Sequence, residues 1–178
     1  MQIVTDQGAD LSSEQVRGLD IHYIPMPITL EGKTLIGGED IDYQSFYQML
    51  SDTGAFPTTS QPSPGDFAKL YSKLAKKDPE ILSVHISSGL SGTVQSARMG
   101  AEMVPEAQVT VVDSKTLSCP LGWQVEAAAK AARAGWQMTD IVNFLEKVRQ
   151  YSEGMFTLTD LRYLIHGGRI SHLKGLMA

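Results

Sequence analysis

The 178-residue chain has a single cysteine, Cys119. That excludes an internal disulfide, and nothing points to an oxidising compartment. Cys119 precedes Pro120 and reads as a small buried apolar residue rather than a reactive thiol. No run of 18 apolar residues occurs, so no segment reads as a membrane span. The first residues lack a basic stretch followed by an apolar one, so no signal peptide is read and a cytoplasmic address is expected. Positive charge is also short. Lys and Arg number 15 against 20 Asp and Glu, a net charge of −5, which argues against general nucleic-acid binding but leaves room for a local basic patch. The histidines, His22, His85, His166 and His172, have no zinc-type spacing, and one cysteine cannot build a thiolate cluster. The Gly-x-x-x-x-Gly-Lys-[Ser/Thr], Gly-x-Gly-x-x-Gly and Gly-x-Ser-x-Gly patterns are all missing.

What is present suits a soluble globular domain with the start of another: 42% of residues are hydrophobic and 20% charged. Gln2 to Asp6 reads as a buried strand ending on a carboxylate. Ser12 or Ser13 is expected to cap a short helix through Leu19. Ile21 to Leu30, broken by Pro25 and Pro27, reads as an edge strand. Glu31-Gly32-Lys33 turns into Thr34-Leu35-Ile36. Asp42 is a candidate cap for a helix from Tyr43 to Leu50. Ser63-Pro64-Gly65-Asp66 is a strong helix start, with a Ser cap, Pro at the first position and an acid three residues on. Phe67, Leu70, Tyr71 and Leu74 then form an amphipathic stripe. Lys69, Lys73, Lys76 and Lys77 lie largely off it, as a solvated face or a docking surface.

Ile81 to Ile86 and Gln108 to Val112 read as further strands, the second running into Asp113. Helices are expected from Thr93 to Val104, from Leu121 to Ala134 with Gly135 as the stop, and after Thr139 as cap. Met155 to Leu158 is a strand candidate and Asp160 to His166 a short helix. Alternation of short apolar strands with amphipathic helices predicts an α/β fold, a mostly parallel sheet with helices on both faces. Ligands of such sheets bind outside the carboxyl ends of the strands.

Two loops stand out. Thr58-Thr59-Ser60-Gln61-Pro62 precedes the helix that starts at Ser63. Ser87-Ser88-Gly89-Leu90-Ser91-Gly92-Thr93 follows a strand and opens into a helix. Hydroxyls beside free backbone N–H groups suit a carboxylate or a phosphate, and Gly89 and Gly92 permit close backbone approach or a positive φ. The alternative is a tight strand-to-helix turn with ordinary capping serines. Asp6 and Asp113, both ending strands, could bind a metal or cap the loops that follow them. His85 is a core histidine or a general base. An enzyme reading, a serine-dependent hydrolase or phosphotransferase, would use Ser91 of the Ser87–Thr93 loop as nucleophile with His85 as base. Residues 159–178 carry Arg162, Arg169 and Lys174 against Asp160 alone. Arg169 follows Gly167-Gly168, which reads as a flexible stop that exposes its guanidinium to a phosphate or to solvent.

These segments together resemble the DegV family of bacterial fatty acid-binding proteins, partners of fatty acid kinase. The resemblance rests on Val4-Thr5-Asp6 with Ala9-Asp10-Leu11, Ile24-Pro25 with Glu31-Gly32, Thr59 to Phe67, Ser87 to Ala97, Asp113-Ser114-Lys115 with Leu121-Gly122, and Gly167-Gly168-Arg169-Ile170-Ser171. Gln7 stands where the family usually has Ser. The resemblance implies the N-terminal domain of a two-domain DegV-like protein, with residues 1–152 as that domain and 153–178 as the start of a second, truncated one. It implies a long-chain fatty acid as ligand, its carboxylate held by Thr59 and Ser91, with Ser60, Ser88 and Gly92 as further loop contacts. It implies presentation of the acid to a separate fatty acid kinase, with Arg169 serving phosphoryl transfer or kinase interaction. No catalytic residue, metal or cofactor is implied on this chain; ATP and metal belong to the kinase. No nucleic acid or stable membrane insertion is expected, with transient membrane contact left open. Family members run roughly a hundred residues further, so the chain is expected to be a fragment or a truncated product.

Overall fold

The computed structural model describes residues 1–36, 40, 42–158 and 161–169. In chain order its elements are β1 (Gln2–Asp6), β2 (Ile21–Ile24), β3 (Pro27–Leu30), β4 (Lys33–Ile36), α1 (Tyr43–Thr53), β5 (Thr58–Thr59), α2 (Pro64–Ala75), β6 (Glu80–His85), α3 (Thr93–Glu102), β7 (Gln108–Asp113), α4 (Ser118–Arg133), α5 (Met138–Gln150) and α6 (Arg162–His166). They divide into two compact units. One holds Met1–Ile24 and Pro62–Met155, the other Pro25–Gln61 and the chain from Phe156 onward, so each is discontinuous in sequence.

The first unit is a four-stranded parallel sheet in the order β2-β1-β6-β7. The interior strands β1 and β6 bury nearly every residue, whereas the edges β2 and β7 do not, as expected when helices cover both faces. On one face Val4, Ile24 and Ile81 pack with Phe67, Tyr71 and Leu74 of α2 and Ala97 of α3. On the other, Ile3, Leu82 and Val84 pack with Leu121, Val125 and Ala128 of α4 and Ile141 and Leu145 of α5. The α/β architecture with helices on both faces is the one expected.

α2 begins where local chemistry dictates. Ser63 Oγ accepts the Asp66 N–H at 3.2 Å, and the Asp66 carboxylate accepts the Ser63 N–H at 3.2 Å, a complete capping box with Pro64 at the first position. α2 and α3 cross closely at Gly100, where a Cβ would lie 2.5 Å from Phe67 Cβ and 2.8 Å from the Pro64 carbonyl.

In the second unit β3 is the centre of a three-stranded antiparallel sheet, β4-β3-β5. Glu31 (φ 49°) and Gly32 (φ 78°) join β3 to β4, both left-handed as a two-residue hairpin turn requires. Asp42 caps α1, accepting the Ser45 N–H at 2.9 Å.

Several sequence expectations need correction. Ile21–Leu30 is two strands, not one edge strand. β2 joins the parallel sheet, Pro25 and Met26 lie outside either strand, and β3 enters the other sheet. Residues 13–18 form turns rather than a helix; Ser12 and Gln15 exchange the reciprocal bonds of a capping box, but no apolar stripe follows and Gly18 turns left-handed at φ 74°. Gln137, not Thr139, precedes α5, and it makes no side-chain cap. Met155–Leu158 is exposed chain without strand pairing. The expected helix from Asp160 begins at Arg162 among the described residues; Asp160 itself, with Ile170 and Ser171 of the last motif, lies outside them.

Candidate functional site

The carboxyl ends of β1, β6 and β7 are tied together by one buried carboxylate and three interlocked loops. Asp6, fully buried, accepts the Gly8 N–H at 2.9 Å, the Ile86 N–H at 3.0 Å and the His85 Nδ1–H at 2.9 Å. The last bond leaves His85 Nε2 to accept from Ser83 Oγ at 2.6 Å, and Ser83 in turn accepts from the Tyr71 hydroxyl at 2.8 Å. All four side chains are buried, and the His85 ring meets the edge of Phe67 at a centroid distance of 5.1 Å. Burial raises the Tyr71 pKa well above its ordinary value, so its hydroxyl stays a donor.

The Ser87–Gly92 loop starts from this anchor. The Ser87 N–H donates to the Thr116 carbonyl at 2.8 Å, Ser87 Oγ accepts the Gly89 N–H at 3.2 Å, and the Ser87 carbonyl accepts from Leu90 and Ser91 at 2.9 and 3.1 Å. Ser91 Oγ accepts the Thr93 N–H at 3.3 Å and shares a 2.8 Å bond with Thr93 Oγ1. Ser91 therefore does the capping work at the start of α3, because Gly92, the residue before the helix, has no side chain to do it. Gly92 has φ −75° and Gly89 is not among the glycines with positive φ, so neither serves a left-handed turn.

Asp113 holds the neighbouring loop. Its carboxylate accepts the Ser88 N–H at 3.2 Å, the Lys115 N–H at 3.0 Å and Lys115 Nζ at 2.7 Å. Burial pushes this carboxyl upward, but the bonds from Lys115 and Ser88 outweigh it and hold the group below the usual carboxylate range. Lys115 Nζ also reaches Ser88 Oγ at 3.4 Å. Asp6 and Asp113 are thus loop anchors. Among the described residues no group of three or more His, Cys, Asp or Glu side chains could hold a metal ion, and no helix is long and apolar enough to cross a membrane.

Two readings of single residues change. Both ring nitrogens of His85 are engaged in the core, with Asp6 and Ser83, so it is not placed as a base for Ser91 and the hydrolase reading loses its catalytic pair. Cys119 is exposed, not buried, at the loop-to-α4 junction. The sequence reading named Lys115 only as a motif residue and did not name Ser118; both are left-handed, at φ 59° and 53°, without being glycine, a strained loop beside Ser88. Gly122 too was named only as a motif residue; a Cβ there would meet the Ala9 carbonyl at 2.5 Å and push α4 off the turn after β1.

Ser88, Ser91 and Gly92 thus share one loop of the first unit. Thr59, Ser60 and Arg169 belong to the second. Thr59 lies opposite Ile28 on β5, exposed, and the Ser60 N–H donates to the Pro27 carbonyl at 3.1 Å. Gly167-Gly168 is not a flexible stop. Gly168 (φ 71°) closes α6 in a Schellman cap: the Arg169 N–H donates to Leu164 O at 3.0 Å and the Gly168 N–H to Ile165 O at 3.1 Å. Arg169 is half-buried, and its Nη1 donates back to the Gly167 carbonyl.

In open α/β sheets ligands bind at the carboxyl edge, where the Ser87–Gly92 loop lies here. Comparison with known proteins places the chain more closely. The model of the DegV family, described as "Uncharacterised protein, DegV family", matches residues 1–178. A DegV domain-containing protein of Staphylococcus aureus is 39% identical over 98% of this chain and 62% of its own length. The structure of DegV from Bacillus subtilis, described as a fatty acid binding protein, superposes with a TM-score of 0.92 at 32% identity, covering 99% of this chain and 63% of that one. A Thermus thermophilus structure described as showing fatty acid binding of a DegV family protein gives a TM-score of 0.88 at 35% identity, covering 98% and 62%. The chain belongs to the DegV family. It spans 62% of the length of the first of these relatives.

Proposed function

We infer that this chain supplies the head-group part of a fatty acid carrier. Ser91 and Thr59 donate hydrogen bonds to the carboxylate of a long-chain fatty acid, with Ser60, Ser88 and Gly92 around it. The carrier presents the acid to a fatty acid kinase, which holds ATP and metal. The γ-phosphorus–oxygen bond of ATP breaks, a bond to a carboxylate oxygen forms, and acyl phosphate and ADP leave. Arg169 serves that step by meeting phosphoryl charge or the kinase. Residues from about 153 onward belong to a second domain.

The observation that carries the reading is the near-complete superposition on two relatives described as fatty acid binding, at 32% and 35% identity. The chemistry of Ser91 supports it. Ser91 Oγ accepts the Thr93 N–H, and when the Thr93 hydroxyl donates into the bond the two side chains share, the Ser91 proton is left to donate outward. Burying fifteen methylenes would yield roughly 12 kcal/mol gross at about 0.8 each, while the carboxylate needs such donors to be buried at all.

The test is direct. Protein purified from a bacterial host is extracted with organic solvent and its lipid measured by mass spectrometry. Near-stoichiometric fatty acid is expected, because the apolar cavity that this reading requires would otherwise be left empty. No fatty acid in the extract, together with no binding of added oleate, refutes the proposal. Hydrolysis of acyl or phosphoryl esters by the pure protein would favour an enzyme instead.

A further inference from the structure

Within the second unit two aromatic contacts join the segment that leads into β5, the strand of Thr59, to α6, the helix that Arg169 follows. Phe56 lies three residues before Thr59 and His166 three before Arg169. Their rings stack at a centroid distance of 3.9 Å and an interplanar angle of 17°. Tyr163, one turn back on the same face of α6, meets the same Phe56 ring at 5.2 Å and 51°. α6 has only five residues, far too few to be stable alone, so its placement depends on such contacts. The two bonds of the Schellman cap then fix the Arg169 backbone to the end of that helix.

We propose that His166, through its stack on Phe56, is a positioning residue for Arg169 in phosphoryl transfer. The role rests on the carrier reading given above. His166 touches neither ligand nor phosphate in this scheme; it sets where the guanidinium starts from. Thr59 is held independently, by the β3–β5 ladder and by the Ser60 N–H on the Pro27 carbonyl, so disturbing α6 leaves the head-group donor in place. The ring face is what matters, not its protonation. A phenyl ring at 166 would keep the stack, and an alanine would abolish it.

The experiment uses the protein loaded with oleate, a fatty acid kinase and ATP, and compares His166→Ala, His166→Phe, Phe56→Leu and Arg169→Ala. His166→Ala and Phe56→Leu should lower the kcat of acyl-phosphate formation about fivefold or more, since a displaced charged group loses transition-state contact. Oleate affinity of His166→Ala should stay within about threefold, since that contact forms only in the transition state. His166→Phe should restore most of the rate, which a reacting imidazole would not do, while the fall in kcat without loss of oleate affinity in His166→Ala separates positioning from general unfolding. The imidazole proton resonances of His166 should carry a ring-current shift that Phe56→Leu removes. Wild-type turnover in His166→Ala, failure of His166→Phe to rescue, or absence of the ring-current shift overturns the positioning role. Wild-type turnover in Arg169→Ala, or no acyl phosphate from the unmodified protein, overturns the underlying reading and the positioning role with it.

Discussion

Removing the Asp6 carboxylate should be among the most damaging single changes in the first unit. Asp6→Ala withdraws the acceptor from three donors, the N–H groups of Gly8 and Ile86 and the ring N–H of His85, at 2.9–3.0 Å. A bond to a charged acceptor contributes about 1.5–3 kcal/mol, and each donor left buried without a partner carries a penalty of similar size. These contributions overlap, so the loss is placed at about 4 kcal/mol, against a total stability on the order of 5–15 kcal/mol for a domain. Asp6→Asn keeps the shape and one acceptor atom. If its oxygen faces His85 and Ile86, its amide must face the Gly8 N–H, so about 2 kcal/mol is expected. The direction of the chain beyond it can be checked too. Ser83→Ala orphans both His85 Nε2 and the Tyr71 hydroxyl, whereas Tyr71→Phe removes only the terminal donor. Ser83→Ala should therefore cost more than Tyr71→Phe, about 2–3 against about 1 kcal/mol. Urea unfolding followed by far-UV circular dichroism is the suitable assay, because both tryptophans are already 46% exposed and would report weakly. A loss below about 1 kcal/mol for Asp6→Ala, or Tyr71→Phe worse than Ser83→Ala, would show that the network is not what holds these strand ends.

Ser91→Ala and Thr59→Ala should each weaken oleate binding about tenfold or more, from loss of roughly 1.5–3 kcal/mol per donor to the carboxylate; unchanged affinity in both, by titration calorimetry, would move the head group elsewhere. Gly100→Ala should destabilise by about 1–3 kcal/mol despite its better helix propensity, because the new methyl meets Pro64 and Ala68 backbone at 2.8 and 3.2 Å. Gly65→Ala, whose Cβ would meet only Ser63 Oγ at 3.7 Å, should be neutral or stabilising by up to about 1 kcal/mol in the same urea assay. The Asp113 carboxyl is held below its ordinary value, so its stabilising contribution is present above the unfolded pKa of about 3.9 and is lost as pH falls through the lower folded value. Lys115→Met should raise the Asp113 midpoint, read by carbon-detected carboxyl titration; no upward movement would remove Lys115 as a cause.

What could be read in advance was whatever neighbouring residues decide between themselves. The capping box of α2 needs only Ser63, Pro64 and Asp66, and the hairpin turn only Glu31 and Gly32. The parallel sheet follows from apolar runs alternating with helical stripes. The failures mark where a distant partner decides. Ser12 and Gln15 make the same reciprocal bonds as Ser63 and Asp66, yet no helix grows, because no buried stripe follows to offset its entropy. Ile21–Leu30 has β-type residues on both sides of Pro25, and nothing local says that each half joins a different sheet. Cys119 breaks the usual preference of cysteine for the interior because it falls at a loop junction.

The candidate site divides in the same way, and the division bears on mechanism. The hydroxyl loop could be named from Ser87 to Thr93, but its anchor could not, since Asp6 lies 79 and 80 residues from His85 and Ile86. Gly167-Gly168 was misread for a different reason: two adjacent glycines look like a hinge when only composition is weighed. In the fold one of them supplies the positive φ that lets Arg169 bond back to Leu164, and such a cap stiffens the chain rather than loosening it. Arg169 then has only its side chain with which to reach a phosphate, and it must give up the Gly167 carbonyl to do so. On the proposed reading, a guanidinium held this way would add little to ground-state binding of a fatty acid and would turn outward when phosphoryl charge develops. That is why Arg169→Ala should leave oleate affinity within about threefold while acyl-phosphate formation falls about tenfold or more. It is also why Arg169→Lys, which lacks the planar fork, should recover only part of the rate. Loss of oleate binding in Arg169→Ala would mean instead that the side chain meets the carboxylate itself.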